Sequence, residues 1–279
     1  MAHVRWREHP ELDRPVLVAA FEGWNDAGDA ASNAVRFLVE QTDAELFADI
    51  DPEEFVDFTS TRPHVRVGDD GERVIEWPGI ELYSCELPGG DDAVLLLASE
   101  PQLKWRTFCE EVVSVAEQLG CRMVITLGAL VAEVPHSRPV PVVGTVSDPA
   151  LQAELGLSPS SYEGPTGIVG VLTVVAREAG LPCVSLWGAV PTYVPTAPSP
   201  KATLALLEKI GEVLGTWVPT AELEIAAASY ERQVTELVDE DDETSDYVSR
   251  LETRHDQQDE GAARSLVEEV ERFLRHRPE

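Results

Sequence analysis

Residues 16–38 read VLVAAFEGWNDAGDAASNAVRFL, and this stretch decides the fold. Its first part, Val16–Phe21, is a continuous apolar run with the length of one buried strand. A helix is predicted next, because its apolar residues share one helical face: Ala27, Ala30, Ala31, Ala34 and Leu38. In the polar turn between the two, Asn25 or Asp26 can cap the helix by accepting hydrogen bonds from its first amides. A buried strand followed by an amphipathic helix is typical of α/β proteins.

The same alternation continues toward the C-terminus. Further buried strands are predicted at Ala93–Ala98, Met123–Leu127, Val142–Val146 and Cys183–Trp187. Amphipathic helices are predicted over Trp105–Leu119, Thr166–Ala179 and Lys201–Gly215. Continuous apolar strands that alternate with amphipathic helices indicate an α/β fold with a mostly parallel sheet and helices on both faces.

Two segments depart from this rhythm. His64–Val67 and Glu72–Trp77 alternate apolar and polar residues around a Gly-Asp-Asp-Gly turn, which predicts a β-hairpin inserted near residues 60–80. After Pro219, apolar residues recur at helical spacing: Leu223, Ala227, Tyr230, Val234 and Leu237. We therefore expect an α/β core over residues 1–218 and an acidic helical subdomain over residues 219–279, docked on the core as a layer or lid. A mobile acidic tail is the alternative.

The charge balance excludes whole classes of partner. The chain of 279 residues has 51 acidic and 21 basic residues, and its net charge is −30. Such a polyanion repels nucleic acid phosphates and anionic lipid, so neither nucleic acid nor a membrane is expected to bind. The four cysteines lack metal-ligand spacing, which predicts buried thiols in a reducing compartment. Together with the absence of a signal segment, this predicts a cytoplasmic protein without a metal or cofactor.

Signatures of the commonest enzymes are missing from the sequence. It contains no G-x-S-x-G nucleophile elbow, no H-E-x-x-H helix, no C-x-x-C pair and no Walker-type phosphate loop. Catalytic residues therefore stay unassigned, although catalysis by scattered residues remains open.

The loop after the first strand is one candidate for a binding site. In an open α/β sheet, ligands bind outside the carboxyl ends of the strands, where Trp24, Asn25 and Asp26 are expected to lie. The alternative is a helix cap with Trp24 as a packing residue.

A second candidate follows the strand Met123–Leu127. Glu133, His136 and Arg138 could supply an acid, a base and an anion clamp. The alternative is a loop stiffened by proline, with His136 on the surface and Arg138 paired with a carboxylate.

Two further loops complete the predicted crevice. Tyr162, Gly164, Thr166 and Gly167 precede a helix, and amides at a helix N-terminus attract anions. Close backbone packing is the alternative there. Tyr193 lies in the proline-rich segment that follows the strand at Cys183–Trp187. The predicted ligand site is thus the set Trp24, Asn25, Asp26, His136, Arg138, Tyr162, Gly164, Thr166, Gly167 and Tyr193.

Five short motifs occur together in these loops. They are GWNDAGDAA at Gly23–Ala31, EPQLKW at Glu100–Trp105, VPHSRP at Val134–Pro139, YEGPTGI at Tyr162–Ile168 and VPTYV at Val190–Val194. In combination they resemble the proteasome assembly chaperone 2 family, most closely its actinobacterial branch, over nearly the whole chain. One position departs from the pattern, because Thr192 stands where relatives often carry histidine.

The resemblance implies a core similar to the phosphorylase/hydrolase-like fold, a hairpin that serves oligomerisation, and C-terminal helices that act as a lid. It also implies a homo-oligomer, with a trimer as in bacterial relatives. Two functions follow. The first is a non-enzymatic assembly or interaction protein, with proteasome subunits as possible partners. The alternative is a small-molecule-binding protein or a hydrolase/phosphorylase-like enzyme with its site under the C-terminal helices.

Overall fold

The computed structural model describes residues 3–68, 71–146, 148–160 and 162–257. Its strands are β1 (Val4–Trp6), β2 (Val16–Glu22), β3 (Glu45–Ile50), β4 (His64–Val67), β5 (Arg73–Glu76), β6 (Ile80–Glu86), β7 (Asp92–Ser99), β8 (Met123–Ala132), β9 (Val142–Val146) and β10 (Cys183–Pro191). Its α-helices are α1 (Ala30–Gln41), α2 (Trp105–Gln118), α3 (Pro149–Leu155), α4 (Ile168–Glu178), α5 (Pro200–Leu214) and α6 (Ala221–Asp239). Residues 242–257 are also helical and are called α7.

Eight strands form one mixed sheet in the order β1-β3-β6-β7-β2-β8-β10-β9. The four central strands β7, β2, β8 and β10 run parallel, whereas the outer strands pair antiparallel. β2 and β7 are in register from Val16 opposite Ala93 to Glu22 opposite Ser99. Their carboxyl ends, and the loops that follow them, therefore meet at one edge of the sheet. The predicted α/β fold is confirmed. The structure shows, in addition, antiparallel strands on both sides of the parallel ones.

Helices cover both faces of this sheet, as predicted. Along β2, Leu17, Ala19 and Phe21 point to the face that α2 and α4 cover. The alternate residues Val16, Val18 and Ala20 point to the face that α1 and α5 cover. Because both sets are fully buried, β2 must be apolar from Val16 to Phe21, which explains its continuous apolar run.

The central strands β8 and β10 are longer than the apolar runs that predicted them. They stay paired from Val124 opposite Cys183 to Ala132 opposite Pro191. Residues 128–132 and 188–191, which were expected in loops, therefore belong to the sheet. This pairing extends the two strands to the edge where the predicted site residues lie.

The predicted hairpin is present as a separate two-stranded sheet made of β4 and β5. Val65 lies opposite Ile75, and Val67 lies opposite Arg73, so these side chains share one face. Val65, Val67 and Ile75 are 50%, 68% and 49% exposed. Turn residues 69 and 70 lie outside the described residues. Within the described chain, the hairpin thus presents apolar side chains to solvent.

The C-terminal helices lie over the core. Tyr230, Val234 and Val238 of α6 form a small apolar cluster with Val248 of α7. Tyr193 and Val194, in the loop after β10, pack against this cluster. The helix predicted around Leu266–Leu274 lies outside the described residues. No helix in the described part of the chain is long and apolar enough to cross a membrane.

Candidate functional site

The structure divides the predicted site residues between two clusters near the carboxyl ends of the central strands. The Trp24 cluster comprises Trp24, Asn25, Asp26, Gly167 and one further residue, Glu100. The His136 cluster comprises His136, Arg138, Tyr193 and their contacts on α5, α6 and α7. The other three predicted residues, Tyr162, Gly164 and Thr166, lie in the exposed loop before α4.

Glu100 organises the Trp24 cluster. It directly follows β7, and its carboxylate reaches the loop after the neighbouring strand β2. The side-chain amide of Asn25 donates from Nδ2 to Oε1 over 2.6 Å. The backbone N of Trp24 donates to Oε2 over 3.3 Å, and the backbone N of Ile168 donates to Oε1 over 3.3 Å. Glu100 therefore ties the strand-end loops of β2 and β7 to the first turn of α4.

Asn25 is 1% exposed and its orientation is determined by Glu100. Since Nδ2 must face the carboxylate, the amide oxygen Oδ1 faces Gly167. A Cβ atom on Gly167 would lie 2.3 Å from this oxygen, so only glycine fits at that position. Within the described residues, no donor reaches Oδ1. The close approach of Asn25 explains the glycine before α4, which sequence reasoning assigned to anion binding or to close packing.

Asp26 acts as a cap for α1. Its Oδ1 accepts hydrogen bonds from the backbone N of Ala31 over 2.6 Å and of Ser32 over 3.3 Å. Burial raises the pKa of the Asp26 carboxyl, and the hydrogen bonds from Ser32 and Ala31 partly offset this shift. Asp26 therefore caps the helix, as the alternative interpretation of this loop proposed. Trp24, in contrast, is 69% exposed and does not pack inside the core.

The sequence predicts an anion at the start of α4, and the Glu100 carboxylate occupies that position. Because the Ile168 amide donates to Glu100, a free phosphate or carboxylate would meet a negative charge there. The preceding loop is closed on itself, since the Tyr162 hydroxyl donates to the carbonyl oxygen of Pro165 over 2.9 Å. A Cβ on Gly164 would lie 2.6 Å from that hydroxyl, and Thr166 lies against Gly170.

His136 lies at the centre of the second cluster and is only 4% exposed, so the alternative interpretation, which placed it on the surface, is wrong. Its backbone N donates to the Tyr193 hydroxyl over 2.7 Å, and its ring Nδ1 lies 2.9 Å from the same oxygen. Ring Nε2 lies 3.0 Å from Oγ1 of Thr235, which donates to the carbonyl oxygen of Glu231. The Tyr193 hydroxyl therefore donates to Nδ1, and the imidazole carries its proton on Nε2.

The surroundings of His136 favour this neutral imidazole. Burial lowers its pKa, and the negative charges of Glu231, Glu252 and Asp239 oppose that shift. The ammonium of Lys201 contributes to the lowering, and it donates to the His136 carbonyl oxygen over 2.5 Å and also pairs with Glu231. The histidine thus connects the loop after β8 with α5 and α6.

Arg138 is paired with a carboxylate, as the structural alternative proposed. Its guanidinium donates to both Asp256 oxygens, over 2.8 Å from Nε and 2.8 Å from Nη2. The adjacent Ser137 hydroxyl donates to Glu252. Both acids lie on α7, so the positions at which Arg138 could clamp a ligand anion are filled by the C-terminal helix.

Sequence reasoning missed several residues of these clusters. Glu100 stands directly after a predicted strand, so the rule that singled out Asn25 and Asp26 could have found it. Lys201, Thr235 and Asp256 could not be found, because they reach the site from helices distant in sequence. In the described part of the chain, no group of three or more potential metal ligands occurs.

The fold and site define a class of α/β proteins with a mixed sheet, a detached hairpin and C-terminal helices over the strand-end loops. This chain belongs to the PAC2 family, whose model matches residues 20–238. It is similar to a PAC2 family protein from Streptomyces avermitilis, at 46% identity and a TM-score of 0.78 over 84% of this chain and 99% of that one.

Two structures from Mycobacterium tuberculosis are also similar. A proteasome-assembly chaperone homologue has 46% identity and a TM-score of 0.76, over 84% of this chain and 99% of that one. A protein of unknown function has 30% identity and a TM-score of 0.84, over 95% of this chain and 92% of that one. Among curated proteins, no sequence matches this chain.

Proposed function

We propose that this chain is a non-enzymatic assembly or interaction protein that works in the cytoplasm as a homo-oligomer. A trimer is the proposed state, and proteasome subunits are the proposed partners. The family and the M. tuberculosis relative described as a proteasome-assembly chaperone homologue support this role.

The observation that carries the proposal is the exposed apolar face of the hairpin. A two-stranded hairpin alone is only marginally stable in water. Here β4 and β5 are not paired with the main sheet, and Val65, Val67 and Ile75 lie on one exposed face. Contact with another protein surface would bury these side chains and stabilise the hairpin. We assign this contact to further copies of the chain.

The experiment measures assembly of purified proteasome subunits on native gels, with and without this chain. We expect the wild-type chain to accelerate assembly and the double variant Val65→Asp/Ile75→Asp to lose the effect. Ile225→Asp/Leu237→Asp is the matched control, because both residues are exposed on α6 and the two changes add the same two negative charges. An assembly rate that does not depend on the chain would contradict the proposed partner.

A small-molecule-binding or hydrolase/phosphorylase-like function is the second candidate. The buried His136 with its Tyr193 and Thr235 contacts favours it, because such a group could act as an acid or base. In this arrangement, residues 219–279 would form the lid subdomain, and Arg138 would bind a ligand anion after α7 moved away. In this alternative, the predicted ligand residues would line the ligand site.

A thermal-shift screen against nucleosides, phosphate and acyl compounds tests the second candidate. A ligand at one hundred times its dissociation constant stabilises the folded chain by about 2.7 kcal/mol. We expect a ligand of this site to stabilise Glu163→Gln as it does the wild type, because Glu163 is an exposed acid on another loop. The same ligand should not stabilise His136→Gln. A ligand that stabilises both variants equally would exclude the His136 cluster as its site.

A further inference from the structure

We propose that the Trp24 cluster binds a guanidinium or ammonium group at the carboxylate of Glu100. The occupant is an arginine or lysine side chain of a partner protein. This inference deepens the proposed assembly role and rests on it only for the source of the cation.

The first argument is the uncompensated charge of Glu100. Among the described residues, three hydrogen bonds reach its carboxylate, and all come from neutral groups: the Trp24 and Ile168 amides and the Asn25 side chain. No lysine, arginine or histidine among the described residues forms an ion pair with it. Glu22, at the end of the adjacent strand β2, differs because Arg36 neutralises it. A carboxylate whose hydrogen-bond partners are all neutral has no cation to balance it, so it offers a place for a cation from another molecule.

The second argument is the supply of unused acceptors. A carboxylate offers about four lone-pair sites, and among the described residues Oε2 of Glu100 receives only the Trp24 amide. The unpaired Asn25 Oδ1 faces Gly167 instead, so it is not one of the atoms that would contact the cation. Guanidinium and ammonium groups carry several N–H donors and no acceptor, so they match the remaining lone pairs of Oε2.

The third argument is access to the carboxylate. Gly23 adopts φ +116°, and a Cβ there would lie 3.6 Å from Oε2 of Glu100. The glycine therefore leaves this oxygen uncovered. Trp24 places an exposed indole in the same turn, and the face of an indole ring attracts organic cations.

The test follows the Trp24 resonance by fluorine NMR in full-length chain labelled with 5-fluorotryptophan and assigned with Trp24→Phe. The probe is methylguanidinium chloride, and methylurea is its neutral counterpart of similar shape. We expect a saturable shift with methylguanidinium and none with methylurea. In Glu100→Gln the dissociation constant should rise at least tenfold, whereas Glu163→Gln, which removes one exposed charge from the neighbouring loop, should bind as the wild type does.

Three results would overturn the site: no saturable shift, equal binding of methylurea, or equal weakening by Glu100→Gln and Glu163→Gln. The last result would assign the binding to the overall negative charge. If Glu100→Gln does not fold, calorimetry on Trp24→Ala replaces it, and unchanged affinity there contradicts the inference.

A second arm identifies the source of the cation. The capped peptide acetyl-Ala-Arg-Ala-amide should bind more tightly than propylguanidinium, which carries the same single charge, because a protein side chain brings peptide groups with it. Tighter binding of propylguanidinium would overturn the assignment to a protein partner. Failure of either arm leaves the assembly role intact, since the hairpin variants test that role separately.

Discussion

His136 shows how a residue of catalytic type can serve as a structural connection. Its imidazole lies between the Tyr193 hydroxyl and Thr235, and its backbone contacts Tyr193 and Lys201. Protonation would place a second N–H donor against the Tyr193 hydroxyl, which already accepts from the His136 amide. The neutral ring therefore fits this cluster better than the charged ring does.

We predict that the pKa of His136 in the folded chain lies below its ordinary value of 6.5. The unfolded chain then binds the proton more readily, so this group's contribution to the free energy of unfolding is complete above about pH 6.5 and is lost as pH falls toward the folded-state pKa. NMR titration of the ring protons, assigned with His136→Gln, measures the shift. A pKa at or above 6.5 would contradict the structure.

At Gly167, the prediction concerns steric fit. Gly167→Ala places a Cβ 2.3 Å from the buried Asn25 oxygen, so Asn25 must move and lose its bond to Glu100. We expect the free energy of unfolding to fall by about 1–3 kcal/mol in urea denaturation. Gly79→Ala is the control, since its Cβ would meet only the flexible side chain of Glu81. Equal stabilities of the two variants would refute the close approach.

At the scale of elements, α7 is held on the core by polar contacts and by a few apolar residues. Arg138 pairs with Asp256, Ser137 donates to Glu252, and Arg254 pairs with the exposed Glu133. The buried apolar residues of α7 include Val248 and Leu251. A helix with few buried apolar residues opens more easily than the helices that cover the central sheet.

We therefore predict that Arg138→Met increases hydrogen exchange in α7 while exchange in α5 stays unchanged. The guanidinium makes a bidentate contact with Asp256, so its removal frees one end of the helix. Mass spectrometry of peptides over residues 242–257 measures the effect. Arg254→Met, which breaks only a more exposed pair, should cause a smaller increase. Unchanged exchange in Arg138→Met would mean that apolar packing alone holds α7.

Sequence patterns predicted elements that are buried on both sides better than those that are half exposed. β2 is apolar at every buried position, and its length was predicted to within one residue. β3 and β6 were missed, because both strands mix apolar and charged residues. In addition, β3 pairs with β1 and β6, and neither of these strands directly precedes or follows it in the chain. The two-cluster arrangement of the site was also beyond prediction, since Thr235 and Asp256 reach it from helices about one hundred residues away.

For the whole molecule, charge and apolar surface point to different kinds of contact. A net charge of −30 favours association with basic surfaces, and Glu100 offers one defined place for a basic side chain. Val65, Val67 and Ile75 on the hairpin are apolar instead. Because like-charged copies repel each other, self-association requires such an apolar contact.

The measurement that tests the central claim most directly is the mass of the purified chain by size-exclusion chromatography with light scattering. The proposed trimer predicts three times the chain mass of 30.5 kDa for the wild type and for the control Ile225→Asp/Leu237→Asp. The Val65→Asp/Ile75→Asp variant should elute at the mass of a single chain. A wild-type mass of 30.5 kDa, or a hairpin variant that stays assembled, would contradict self-association through the hairpin.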